Sequence, residues 1–181
     1  MNNRIWRRAG VVAVWWCLAV AMLLAADVRV TPLVAEGQVF ASFSAVDSYT
    51  SDVQEAVQSG LPTTLTYLVE LRQASVVWFD RTVSTVTVAS SIKYDNLTRA
   101  FQVSKMTEGQ IVSSESTTKE IDAKKWATAF ERVSLSRGDS LEPNGEYYVR
   151  VRMRATPRRS FSLWPWGRDD AAGRADFTFI R

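Results

Sequence analysis

Two pairs, Ser90 with Lys93 and Ser116 with Lys119, stand at the Ser-x-x-Lys spacing found in serine acyl enzymes. The Ser-Asp-Asn and Lys-Thr-Gly motifs that accompany that chemistry are absent from the sequence. Ser90 and Lys93 also fall in an alternating run, where residues three apart face opposite sides of a strand. Asp169 and Asp170 are the one adjacent acid pair between Arg168 and Arg174, and read as a solvated loop rather than a proton-transfer dyad or a calcium loop. No glycine-rich phosphate loop occurs. The chain has no histidine and one cysteine, Cys17, so neither a Ser-His-Asp nor a Cys-His arrangement nor a His/Cys zinc site can form. The expectation is therefore no catalytic residue, no metal and no cofactor.

What remains is binding chemistry. Arg150, Arg152 and Arg154 alternate with Val149, Val151 and Met153. On a strand this makes a row of cations roughly 6.6 Å apart, twice the rise per residue. Arg158 and Arg159 continue the row, and "FSLWPWGR" (161–168) follows with Trp164 and Trp166 on either side of Pro165. Arginines attract an anionic surface or an acidic partner, and tryptophans add apolar contact with a polar tip. These seven residues are the candidate interaction surface. Its bland counterpart is the polar outer face of a half-buried strand with a folded-back loop.

The elements that must position these residues are mostly strands. Apolar and polar residues alternate over 37–46, 63–72, 74–81, 82–94, 98–106, 147–155 and 175–181, with Gly, Pro, Asp and Asn between the runs. Two segments read as helices. Residues 50–60 have cap candidates Thr50 and Ser51, early acids and Gly60 as a stop. Residues 117–133 have Thr117 and Glu120 at capping-box spacing, and Trp126, Ala129, Phe130 and Val133 at i, i+3, i+4, i+7. This pattern predicts a mainly β fold, an antiparallel β-sandwich of immunoglobulin-like or C2-like type with two short helices. "IKYDNLTRAFQV" (92–103) reads as a hairpin about Asp95-Asn96, and a turn accounts for Asn96-Leu97-Thr98 without its use as a glycan acceptor.

The N-terminus sets location. Arg4, Arg7 and Arg8 precede an uncharged apolar run, Ala9 to Ala26. Its length lies between a cleaved signal and a spanning helix, and in either case the arginines stay inside and the rest is exported. The expected organisation is a basic tail at 1–8, a membrane anchor or signal at 9–26, a tether at 27–36 and an exported domain at 37–181. Those three arginines also carry the whole formal charge of +3, because without them 19 of the 22 basic residues face 19 acids. The basic balance is thus no sign of nucleic-acid binding. With one cysteine there is no intrachain disulfide, so the exported part must be held by a packed core.

The stretch "LTYLVELRQ", then "VVWFDR", then "IKYDNLTRAFQV" resembles the bacterial envelope family known as domain of unknown function 4390. The matching positions are Leu65, Tyr67, Glu70, Trp78, Asp80, Tyr94, Asp95, Leu97, Thr98 and, as the second aromatic, Phe101. The resemblance is concentrated in 64–104, and the C-terminal third follows the family's Trp- and Pro-containing end only loosely. It implies an exported, membrane-proximal domain with no established activity, and a link to a membrane sensor histidine kinase. Together these readings predict a non-catalytic, membrane-tethered interaction module at the periplasmic face of the inner membrane, accessory to such a kinase. The alternative is a carrier of a lipid or apolar molecule between the sheets, with an enzyme of unknown type third.

Overall fold

A computed structural model describes residues 28–75, 79–154 and 172–180. Among the described residues, nine strands make two antiparallel sheets. β1 (Arg29–Ala35), β2 (Gln38–Ser44) and β7 (Ala129–Arg137) form one, in the order β1-β2-β7. β3 (Thr63–Gln73), β4 (Arg81–Asp95), β5 (Ala100–Thr107), β6 (Gln110–Thr117), β8 (Glu146–Arg154) and β9 (Ala172–Thr178) form the other, in the order β6-β5-β4-β3-β8-β9. Two short helices, α1 (Ser51–Gln58) and α2 (Glu120–Thr128), connect the sheets at one end.

The inward faces interlock. Leu65, Tyr67, Val69 and Leu71 of β3, Val88 and Ile92 of β4, and Tyr147, Val149 and Val151 of β8 are buried against Val39, Ala41 and Phe43 of β2 and Phe130, Val133 and Leu135 of β7. Phe43, Tyr67 and Phe130 form a three-ring cluster with centroids 5.1 to 5.6 Å apart. The buried Ser48 hydroxyl donates to the Ala45 carbonyl at 2.6 Å, so the Tyr67 hydroxyl, also at 2.6 Å, is the donor to Ser48. Burial pushes the Tyr67 phenol up to about 12.

The mainly β reading, the two helical sites and the hairpin at Asp95 hold. Thr50 caps α1, its hydroxyl accepting the Val53 N–H at 3.4 Å. The Asp95 carboxylate accepts the N–H groups of Leu97 and Thr98 at 2.8 and 3.2 Å, which ties the β4–β5 turn. These bonds hold its pKa below the ordinary value.

Several expectations need correction. The tether at 27–36 is largely strand β1, joined to β2 through Glu36-Gly37, both at positive φ (54° and 68°). That is the two-residue turn whose twist suits a hairpin. The same Glu-Gly pair, Glu108 and Gly109, turns β5 into β6, a strand absent from the sequence reading. In the run expected as a strand over 74–81, Ala74, Ser75, Phe79 and Asp80 are not strand and Arg81 begins β4, while 76–78 lie outside the described residues. The helix expected over 117–133 stops at Thr128 and continues as β7. Opposite Ser42 stands an extra residue in β7, with Arg132 at φ 50° and its N–H bonded to the Ser42 hydroxyl at 3.1 Å. This bulge turns both Phe130 and Val133 inward, so their helix-like spacing is that of a bulged strand. Trp126 is accordingly half-buried, and α2 packs through Ala123 and Ala127. Lys119, not Thr117, is the N-cap of α2, so the capping box is not formed. β9 begins at Ala172, three residues before the strand expected at 175–181.

Residues 1–27, and with them the apolar run and Cys17, lie outside the described residues. Among the described residues no helix is long and apolar enough to cross a membrane.

Candidate functional site

The period of two on β3, β8 and β9 sends every second side chain to the outer face of the larger sheet. The antiparallel register sets Glu70 beside Arg150 and Arg150 beside Arg174. One step along the strands, Arg72 stands beside Tyr148 and Tyr148 beside Asp176. Leu68 is the partner of Arg152, and Thr66 of Arg154. Arginines from three strands thus share one surface with Glu70 and Asp176.

Tyr148 organises it. Its ring is buried under the Arg174 guanidinium, whose carbon is 3.7 Å from the ring centroid, with that of Arg72 at 6.0 Å. Its hydroxyl donates to Asp80 Oδ2 at 2.8 Å. Asp80 Oδ1 accepts the Ser75 N–H at 3.1 Å, and its backbone carbonyl accepts Arg72 Nη2 at 2.9 Å. The Tyr148 bond, then the Ser75 N–H, hold the Asp80 carboxyl below its ordinary 3.8, helped by the charges of Arg72 and Arg174. Burial, and then the bond to Asp80, raise the Tyr148 phenol. Arg174 grips Asp176 through Nη2 and Nε at 2.6 and 3.0 Å. Arg152 Nη2 reaches Glu70 Oε1 at 3.0 Å, and Glu70 is 8% exposed.

A groove of about 220 Å3, lined by Tyr148, Arg150, Ala172, Gly173 and Arg174, opens on this surface. The Arg174 guanidinium stacked on the Tyr148 ring already takes a carboxylate by paired N–H bonds, that of Asp176. Ser90 and Lys93 do not meet there or elsewhere as an acyl-transfer pair: Ser90 is buried with its hydroxyl given to the Ala127 carbonyl at 2.6 Å, and Lys93 is exposed. Among the described residues no cluster of His, Cys, Asp or Glu could hold a metal ion.

The family described as domain of unknown function (DUF4390) matches residues 26–159. The chain belongs to that family. The match spans β1 to β8 and ends before β9, so Gly173 and Arg174 contribute to the groove from beyond it. No curated protein and no solved structure matches the chain.

The family-motif residues separate into three places. Tyr67 is core. Glu70 and Asp80 belong to the arginine-rich face. Tyr94 and Phe101 are cross-strand partners with ring centroids 4.7 Å apart, and Asp95, Leu97 and Thr98 form the turn above them. Trp78 lies outside the described residues, as do Arg158, Arg159, Trp164 and Trp166, and the structure describes Arg154 through its strand position alone. The sequence reading missed Arg72, Tyr148 and Arg174. Arg72 and Tyr148 were within reach, since each stands two residues from a named member of the same face, Glu70 and Arg150. Arg174 was hidden because the last strand was expected to start at 175, after it, whereas β9 begins at Ala172.

The depressed Asp80 pKa fixes a sign for pH dependence. A carboxyl lowered by folding adds stability above its unfolded pKa, and that contribution is lost as pH falls through the folded value. Asp80→Asn is expected to trail the parent by a constant margin in urea unfolding from pH 7 down to about 5, well above the ordinary carboxylate value. The margin should close as pH falls below about 4. A margin that stays constant down to pH 2 would show that the Tyr148–Asp80 bond does not depend on the charge.

Proposed function

We propose that this chain is a non-catalytic interaction module, held at a membrane by its N-terminal apolar segment, that recognises an acidic protein surface through the outer face of its larger sheet. The observation that carries the reading is the convergence of Arg72, Arg150, Arg152 and Arg174 on one face around Tyr148. A sensor kinase in the same membrane is the partner type that this reading favours, and the periplasmic side is its setting. Within it, the finer fold assignment is an immunoglobulin-like or C2-like sandwich, the kind of scaffold that presents a flat sheet face to partners.

Direction along the strands separates a protein partner from lipid. The chain enters the fold at Arg29, opposite Ser44, at one end of the strands. A sheet whose strand ends point at the bilayer turns its faces sideways, toward neighbouring proteins. The carrier alternative has less support, since Leu65, Tyr67, Val69, Leu71, Val88, Ile92, Val149 and Val151 fill the space between the sheets.

The test is a photo-crosslinking residue at Thr85, an exposed position opposite Glu70, in intact cells. A discrete adduct is expected, and Arg150→Glu should lower its yield about tenfold, the loss of one interfacial charge interaction of about 1.4 kcal/mol. Equal adduct yield from the Arg150→Glu chain would overturn the reading. Arg150 is preferable to the full row for this purpose, because reversing Arg152 would break its 3.0 Å pair with Glu70. Arg150 also stands beside Glu70 by register, so urea unfolding of Arg150→Glu must match the parent before the yields are compared.

A further inference from the structure

The end of the domain where the chain enters carries aliphatic side chains that the core does not use. Leu97, at the tip of the β4–β5 turn, is 95% exposed, Ile121 in the first turn of α2 is 75% exposed, and Leu61 after α1 is 60% exposed. They border one feature. A groove of about 410 Å3 is lined by Gln58, Tyr94, Phe101, Thr118 and Glu120. Gln58 Nε2 donates to Glu120 Oε2 at 3.2 Å, joining the end of α1 to the start of α2 beside Ile121. A methyl group placed on Gly60 would lie 3.1 Å from Asn96 Nδ2, so the segment holding Leu61 abuts the turn holding Leu97. The bases Lys93, Arg99 and Lys119 nearby are matched by the acids Asp95, Glu120 and Asp122. Exposed aliphatics around an aromatic groove on a surface with balanced charge suit an apolar layer, not an ion.

Where the chain leads decides what that layer is. The apolar run ends at Ala26, and Asp27 alone separates it from Val28. Two residues span about 7 Å at most, so the bilayer that takes the run lies against the end of the fold that holds Val28. β1 begins at that end, and so do β3 and β5, while β2, β4 and β6 finish there. The opposite end also exposes apolar residues, Phe79 and Ile180, but the chain does not enter there. Val28 packs on β9 and Leu97 caps β4 and β5, three to four strand spacings away across β8 and β3. At about 4.8 Å per spacing that is roughly 14–19 Å, enough for two separate footholds that fix the tilt of the domain.

We infer that Leu61, Leu97 and Ile121 form a second membrane contact, in which this end of the domain dips into the headgroup layer of the bilayer that holds the N-terminal segment. The contact rests on the proposed membrane attachment and adds an orientation to it: strand ends down, arginine face sideways. Because aliphatic insertion drives it, it should be insensitive to salt, unlike attraction of a basic patch.

The experiment uses the full chain with Cys17→Ser, reconstituted in phosphatidylcholine vesicles. An environment-sensitive fluorophore is placed at Leu97→Cys, Leu61→Cys or Ile180→Cys in turn. The expected result is a blue shift and quenching by lipid-borne quencher at positions 97 and 61, unchanged by 0.5 M salt (about five-fold above the ionic strength at which the Debye length is 10 Å), with position 180 reporting water. If the chain floats with vesicles after an alkaline wash yet position 97 reports water, the attachment stands and this inference fails. If position 180 is quenched in place of 97, the orientation is wrong. If the chain does not float with the vesicles, both the attachment and the inference fall.

Discussion

Phe130→Ala is expected to destabilise the domain by about 3–5 kcal/mol, the range for removing a large aromatic from a packed core. Phe130 stacks on Phe43 at 5.1 Å and meets Tyr67 edge-on at 5.6 Å, so its ring joins the two sheets directly. It comes from β7, and both its ring partners come from other strands, so no local collapse can fill the space. Trp126→Ala, by contrast, should cost only about 1–2 kcal/mol, because a half-buried ring gives up a fraction of the apolar area that a buried one does. Urea unfolding of residues 27–181 measures both. Equal losses, or a larger one at Trp126, would mean that α2 and not β7 closes the core.

That contrast shows how the sequence misleads. Trp126, Ala129, Phe130 and Val133 fit a helical stripe, yet only the first of the four belongs to α2. The bulge at Arg132 adds one residue between Phe130 and Val133, which converts an expected spacing of two into three. Periodicity cannot distinguish that from a helix when the segment directly follows a real one. β1 and β6 escaped for a different reason: each is joined to its neighbour by Glu-Gly, whose first residue lacks the short polar side chain that makes Asn-Gly and Asp-Gly recognisable. β3, β4, β5 and β8 were legible because strict alternation with β-branched residues needs no tertiary help to be read. The arginine row was legible for the same reason. Its companions were not, because Arg72, Tyr148 and Arg174 meet only through the register of β3, β8 and β9, and register is a property of the assembled sheet. Leu97 was named for its place in a turn, but its exposure depends on how α1 and α2 flank that turn.

Gly173→Ala should have an effect of similar size and reach the candidate site as well. Gly173 pairs with Val151 on β9, where β9 passes under the start of β1. A methyl group there would run into the Val28 carbonyl oxygen and lie 2.8 Å from Val28 Cβ and 2.9 Å from Val30 Cγ2. The first obstacle is backbone, which cannot rotate away, so β1 must lift from β9 or β9 must shift on β8. The expected cost is roughly 3 kcal/mol or more, at the upper end of overpacking penalties. Gly37→Ala is the matched control: nothing lies within 4 Å of its added methyl, and its φ of 68° is the sole penalty, about 1 kcal/mol. The consequence for function follows from position. Gly173 lines the arginine groove and precedes Arg174, whose guanidinium covers Tyr148. A shifted β9 therefore uncovers Tyr148 and breaks the groove, and crosslinking from Thr85 should fall in Gly173→Ala but not in Gly37→Ala. If Gly173→Ala proves no less stable than Gly37→Ala in urea, then β1 and β9 are not closed on each other, and the groove is not held by that contact.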